Sequence, residues 1–182
     1  MSTIADALRG GDARTLKGVT RVVDDVLNEP ARFEEVLRAM EHDDEVVRMR
    51  AGDAAEKISR VRPELLQPHK ALLMSAAAAA RQPSLRWHVA QMLPRLELDA
   101  AERRAAVAVL KRYLDDRSAI VKTSAMQALA DLALADRSLR RSVIPALEKA
   151  TATGTAAMRA RGVRLLEALE PKQRARRDVR PS

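Results

Sequence analysis

Three histidines are the side chains best suited to metal binding or acid–base chemistry in this sequence of 182 residues. They are dispersed at His42, His69 and His88, and the chain contains no cysteine. His42 precedes Asp43 and Asp44, but adjacent residues of a helix or turn diverge, so this trio predicts helix capping and not a metal site. Gly-rich phosphate loops, serine-nucleophile motifs and paired His–Glu motifs are absent from the sequence. We therefore predict no metal, no cofactor and no enzymatic activity.

The net charge of +8 is distributed unevenly along the chain. Residues 1–60 carry a net charge of −3, and residues 61–182 carry +11. This asymmetry indicates an anionic partner, although an arginine-rich coding bias would give the same pattern. The N-terminus has no apolar signal-peptide core, and the longest uncharged run, 71–80, is half a membrane span. We expect a cytoplasmic protein with no membrane partner.

The secondary structure that would position these charges can be inferred from a segment of about a dozen residues that occurs four times in the sequence. Its basic residue is Arg48, Arg86, Lys122 and Arg159, at intervals of 38, 36 and 37 positions. In each copy an apolar residue directly precedes the basic residue. Counted from that apolar residue, further apolar residues follow at positions +4, +7, +8 and +11. The first copy reads Val47, Ala51, Ala54, Ala55 and Ile58. On an α-helix these positions lie within about 100° of arc, so four copies at this period predict stacked helix pairs.

Partner segments with their own helical pattern lie between the repeated helices, at 33–40, 65–80, 101–114 and 139–150. Asp, Ser and Thr residues at the joints are predicted to cap the helices that follow, and Pro68 and Pro145 are predicted to bend the partner helices. Residues 1–29 fit the repeat poorly, because Asp24 stands where the other copies have Ala or Leu. We interpret residues 1–29 as N-terminal capping helices, 30–170 as the repeat array and 171–182 as a basic flexible tail.

The repeated segment resembles the HEAT-repeat family, including its short bacterial HEAT-like versions. Asp44 to Arg48 with Ala51 and Ala55 carry the likeness, which recurs at the other three basic positions. Two departures are the absence of an acidic residue before Leu85 and the replacement of Arg by Lys122. The resemblance implies an all-α, right-handed α-solenoid of about four to five antiparallel helix pairs. It further implies that the second helix of each pair lines a concave surface, which usually binds proteins and sometimes nucleic acids.

The positions 3, 6 and 10 residues after the first apolar residue of each copy should form a polar ridge on that surface. The ridge has a net charge of +3. Trp87 lies next to it, with two readings open: packing between repeats, or a partly exposed anchor for a partner. The candidate partner-binding residues are Arg50, Lys57, Trp87, His88, Gln91, Arg95, Gln127, Arg161 and Arg164.

These features predict a non-catalytic binding scaffold for a protein or peptide partner, with acidic surfaces favoured. The alternative is a nucleic-acid-binding protein that contacts the phosphate backbone through the basic C-terminal two thirds. A DNA glycosylase-like activity on alkylated bases is a remote extension of that alternative, because three aromatic residues make a base-holding cage improbable. The sequence does not reveal the oligomeric state, the pathway or the identity of the partner.

Overall fold

The computed structural model describes residues 3–10 and 15–170, and these residues contain helices and no strands. The α-helices are α1 (Ile4–Leu8), α2 (Val19–Asn28), α3 (Phe33–Ala39), α4 (Glu45–Val61), α5 (Lys70–Ala79), α6 (Pro83–Met92), α7 (Ala100–Tyr113), α8 (Ala119–Ala135), α9 (Arg140–Thr153) and α10 (Ala156–Leu169). Short 3-10 turns precede α3, α5 and α9 and follow α6, at Pro30–Arg32, Pro63–His69, Arg137–Leu139 and Leu93–Arg95.

Helices α3 to α10 form four pairs, in which α3, α5, α7 and α9 are the first helices and α4, α6, α8 and α10 the second. The second helices are the repeated segments of the sequence. The apolar stripe of α4, from Val47 to Ile58, is fully buried, and equivalent residues of α6 and α8 are buried too. Each stripe covers the first helix of its own pair and so forms the hydrophobic core of the array. The prediction of an all-α stack of helix pairs is confirmed.

Neighbouring pairs are joined mainly through their second helices. Helix α4 packs against α6, α6 against α8, and α8 against α10. The first helices touch one another much less, and α5 meets α7 over a small area. Because the second helices approach more closely than the first helices, the stack bends toward their side. The second helices therefore form the inner layer of the solenoid, and the first helices form its outer layer.

Helices α1 and α2 precede the four pairs, and α2 extends the inner layer by packing on α4. Val19, Val22 and Val26 of α2 are buried, whereas Asp24 is exposed. Gly18, which precedes α2, has a φ of 79°, and a Cβ there would lie 2.1 Å from the carbonyl oxygen of Ala7. Only glycine fits this close approach. The proposed domain boundaries remain predictions, and the predicted tail at 171–182 lies outside the described residues.

Side-chain caps are present at three of the four second helices. Those of α4 and α10 were predicted, whereas α8 is capped by Ser118 and not by the predicted Asp115 or Asp116. Asp44 accepts a hydrogen bond from the Val46 amide, and Ser118 and Thr155 cap α8 and α10 in the same way. Pro68 falls in the 3-10 turn before α5, so the first helix of that pair is broken there, whereas α9 continues through Pro145. The caps fix where each second helix begins.

The repeated basic residue also has a structural role at these turns. The Arg48 guanidinium donates to the carbonyls of His42 and Asp43, each at 2.7 Å. Arg86 and Arg159 likewise donate to carbonyls of the turns that precede their own helices, each at 2.8 Å. A guanidinium can satisfy several carbonyls left free where a first helix ends, which explains why a basic residue recurs at this position.

Candidate binding surface on the inner layer

Arg50 was predicted to lie on the exposed ridge, and the structure shows that this prediction is wrong. Its side chain is fully buried. It donates to the carbonyls of Leu8 at 2.7 Å, Gly10 at 2.6 Å and Thr15 at 2.9 Å, and to the Thr15 hydroxyl at 2.9 Å. Leu8, Gly10 and Thr15 thus contact α4 at the first ridge position. Arg50 therefore anchors the N-terminal helices and is not available to a partner.

His88 is a second correction, because it is buried between α4 and α6 with 2% of its surface exposed. Gly52 of α4 faces the His88 side chain, and a Cβ at Gly52 would lie in ordinary contact with it, 3.4 Å from the nearest His88 atom. The His88 Nε2 atom lies 4.0 Å from a carboxylate oxygen of Asp53, and Nδ1 has no hydrogen-bond partner among the described residues. Burial lowers the pKa of His88 from 6.5 to about 4, although the Asp53 and Glu56 carboxylates partly oppose it. The imidazole is therefore neutral at pH 7.

Two other cations of the predicted ridge, Arg95 and Lys57, form ion pairs with carboxylates of α4. Arg95 donates to the Glu56 side chain at 2.6 Å and to the Ser59 hydroxyl at 2.7 Å, while Arg60 binds the same carboxylate from the other side. Burial raises the pKa of Glu56, but the hydrogen bonds from Arg95 and Arg60 outweigh burial and bring the pKa below its ordinary value. Lys57 donates to the Asp53 carboxylate, which lies one turn earlier on α4, at 2.7 Å. The ridge is consequently less cationic around α4 than its sequence predicted.

A cleft of about 400 Å³ opens between α6 and α8 on the inner layer. The Gln127 side-chain amide donates to the Asp131 carboxylate at 2.9 Å. Arg161 of α10 donates to the oxygen of the same amide, Oε1, at 3.4 Å. Gln91 donates to the backbone carbonyl of Trp87 at 3.1 Å. We call this the inner cleft, and its lining residues are Gln91, Pro94, Arg95, Ser124, Gln127, Ala128 and Asp131. Three predicted site residues thus lie together in one cavity.

The remaining candidates, Arg164 and Trp87, do not line the inner cleft. Arg164 is exposed on α10, one turn from Arg161. Trp87 is partly buried and packs against the hydrophobic core, with its ring centroid 3.9 Å from that of His88. These contacts favour packing between repeats over a freely exposed anchor. Sequence reasoning missed Glu56, whose only sequence signal is its spacing of four residues from Arg60.

Metal binding requires a cluster of ligand side chains among the described residues. Within them, no group of three or more His, Asp and Glu side chains is arranged to hold a metal ion. No helix in residues 3–10 and 15–170 combines the length and apolar character that crossing a bilayer requires.

Comparison with known proteins bears on the fold. No protein-family model matches the sequence, and no curated protein matches it. The structure is similar to that of a designed armadillo repeat protein in complex with the peptide (KR)4, with a TM-score of 0.59 at 16% identity. The match covers 92% of this chain and 72% of that chain. At this identity the likeness shows the fold alone, which is a helical-repeat solenoid. The narrower resemblance to HEAT repeats stays a prediction.

Proposed function

We propose that the chain is a non-catalytic binding scaffold whose inner cleft holds a protein or peptide partner. The observation that carries this proposal is the cleft itself, a polar cavity in the layer where the repeats meet most closely. Its amide side chains, Gln91 and Gln127, can both donate and accept hydrogen bonds, as recognition of a polypeptide backbone requires. The designed armadillo protein of similar fold is in complex with a peptide, which supports a peptide as the partner here.

The charges around the cleft favour an acidic partner. Asp53 and Glu56 are each paired with cations of the protein, so their charges are already neutralised, and Asp131 accepts a hydrogen bond from Gln127. Arg161 and Arg164, in contrast, have no carboxylate within 4.0 Å among the described residues. Their guanidinium groups can therefore pair with carboxylates of the partner.

Blocking the cleft tests the proposal. Ser124 lines the cavity from α8, so Ser124→Trp would fill much of its volume. Peptides selected on the wild-type protein from a displayed random library are expected to bind Ser124→Trp at least about tenfold more weakly, as measured by fluorescence anisotropy. The matched control is Ser75→Trp on the exposed side of α5 in the outer layer, which should bind as the wild type does. Selected peptides that bind all three proteins equally would contradict a partner in the cleft.

The acidic preference is tested by removing charge without reversing it. The double substitution Arg161→Gln and Arg164→Gln is expected to weaken binding of acidic peptides about tenfold, because two charge-assisted pairs are lost. Arg141→Gln with Lys149→Gln removes the same charge from the exposed surface of α9 and is the control. Similar losses for both double variants would show that net charge, and not the inner layer, determines binding.

Nucleic-acid binding is the second candidate function, and one observation favours it. No Lys or Arg from residue 104 to residue 170 has a carboxylate within 4.0 Å among the described residues, whereas all of the ion pairs found there involve cations at or before Arg103. The charge experiment discriminates the two functions when it is repeated with duplex and single-stranded oligonucleotides. Phosphate-backbone binding predicts comparable losses for both double variants and an affinity that falls by about 10³ or more between 50 and 200 mM salt, if at least about six phosphates are contacted.

A further inference from the structure

A cavity of about 450 Å³ lies at the edge of the solenoid where α5 ends, α6 begins and α7 ends. Three arginines, Arg81, Arg86 and Arg112, line it together with Tyr113 and the last alanines before Arg81. No carboxylate contributes to the lining. We call this cavity the arginine pocket. It is separate from the inner cleft, with which it shares no lining residue.

Arg86 is held in a fixed position in the arginine pocket. Its Nε donates to the Ala80 carbonyl at 2.8 Å, and its Nη1 donates to the Asp116 carboxylate. The guanidinium carbon lies 5.7 Å from the centroid of the Tyr113 ring, within the range of a cation–π interaction. The Tyr113 hydroxyl in turn donates to the Ala77 carbonyl at 2.5 Å. Two carbonyls at the end of α5 are thereby satisfied, which reduces the negative potential that a helix C-terminus would impose on the pocket.

Arg81 and Arg112, the other two arginines of the pocket, are exposed, one in the α5–α6 turn and the other on α7. Neither has a carboxylate within 4.0 Å among the described residues. The Asp116 carboxylate offsets one of the three positive charges, so these four residues together carry a charge of +2. Like charges around one cavity repel each other, and an anion that enters the cavity offsets this repulsion.

We propose that the arginine pocket binds a phosphate dianion, either as free phosphate or as a phosphate monoester. A carboxylate carries one charge on two oxygens and is satisfied by one bidentate guanidinium. A phosphate monoester carries −1.5 to −2 charges and has three acceptor oxygens, so it can engage three guanidinium groups at once. Three arginines and a net charge of +2 therefore match phosphate better than carboxylate. The pocket gives the scaffold a second ligand site, which does not depend on the inner cleft.

Titration with small phosphates tests this assignment directly. Inorganic phosphate, N-acetyl-phosphoserine amide and N-acetyl-glutamate amide are titrated into the full chain at constant ionic strength, with binding followed by isothermal calorimetry. Both phosphates are expected to bind at least about tenfold more tightly than the glutamate compound. Arg112→Gln should weaken the binding of both phosphates about tenfold. Arg104→Gln, an exposed arginine of the same helix that does not line the pocket, should leave it unchanged.

The outcomes separate a ligand site from a purely structural role of the arginines. If these arginines serve only the ends of α5 and α7, Arg112→Gln lowers the melting temperature by the same amount with and without phosphate, and the proposal is overturned. Equal binding of the phosphates and the glutamate compound, or equal losses for Arg112→Gln and Arg104→Gln, also overturns it. Tighter binding of phosphoserine amide than of inorganic phosphate assigns the site to a phosphorylated partner, and the reverse order assigns it to free phosphate. Both orders support a phosphate site.

Discussion

Replacement of Arg50 by methionine is expected to lower the free energy of unfolding by about 3–5 kcal/mol. Methionine fills much of the same volume but donates no hydrogen bond. The carbonyls of Leu8, Gly10 and Thr15 would then lose their donor within a buried environment. Urea denaturation followed by circular dichroism at 222 nm measures the change. Arg50→Lys should give an intermediate loss, because an ammonium group cannot reach acceptors on two segments as a planar guanidinium does.

Arg21→Met on α2 is the matched control, since the Arg21 side chain is 81% exposed and its ion pair with Asp25 is solvated. Its effect should stay within about 1 kcal/mol. Hydrogen exchange gives a local test of the same interaction. In Arg50→Met the amides of α1 and α2 should exchange faster relative to those of α8 and α10, because Arg50 anchors only the N-terminal helices. A stability equal to that of the wild type would show that these acceptors find other donors.

The fold was predictable because its signal is local and repeated. Each second helix carries its apolar stripe within about a dozen residues, and the stripe fixes which side of the helix must be buried. The positions of Asp44 and Thr155 as caps followed from the same short-range logic. The weaker fit of residues 1–29 also followed from the sequence, since the exposed side of α2 carries Asp24 in place of an apolar residue.

The candidate site was predicted less well, because exposure depends on segments distant in the sequence. A helical wheel assigned Arg50 and His88 to the ridge from the residue spacing within a single helix. It could not show that Leu8, Gly10 and Thr15 would meet the Arg50 side chain, or that His88 of α6 would be buried against α4. Gln91 and Gln127 line the inner cleft, because none of the described residues covers α6 and α8 at that level of the stack.

The charge of the ridge was overestimated for a related reason. Counting ridge residues included Arg95 but omitted Glu56, whose position on α4 lies outside the ridge pattern. The carboxylate reaches Arg95 only because neighbouring second helices are packed closely, so no residue spacing within one repeat reports the pair. The same close packing lets the Arg95–Glu56 ion pair link two successive repeats. Arg161 and Arg164 are then the cations of the inner layer that can bind a partner.

His88 is expected to make the stability of the protein depend on pH well above the range in which carboxylates titrate. Its pKa in the folded protein is about 4, below the ordinary value of 6.5, because the ring is buried between α4 and α6. Between these two values the unfolded chain binds more protons than the folded chain, so stability is lost as pH falls through this window. From pH 7 to pH 5 the loss amounts to about 2 kcal/mol. In His88→Gln this loss should disappear.

Urea denaturation of the wild type and His88→Gln at several pH values between 7 and 5 measures the difference. The lowered pKa values of Glu56 and Asp116 also contribute to stability, but their contributions are lost only as pH falls below their ordinary values of 4.5 and 3.8. The window above pH 5 therefore isolates the histidine. An NMR titration of the His88 ring should show a midpoint near 4. If His88→Gln retained the wild-type loss of stability, the His88 imidazole would have to be solvated or paired with Asp53 as a cation, and it would not be the buried neutral ring described above.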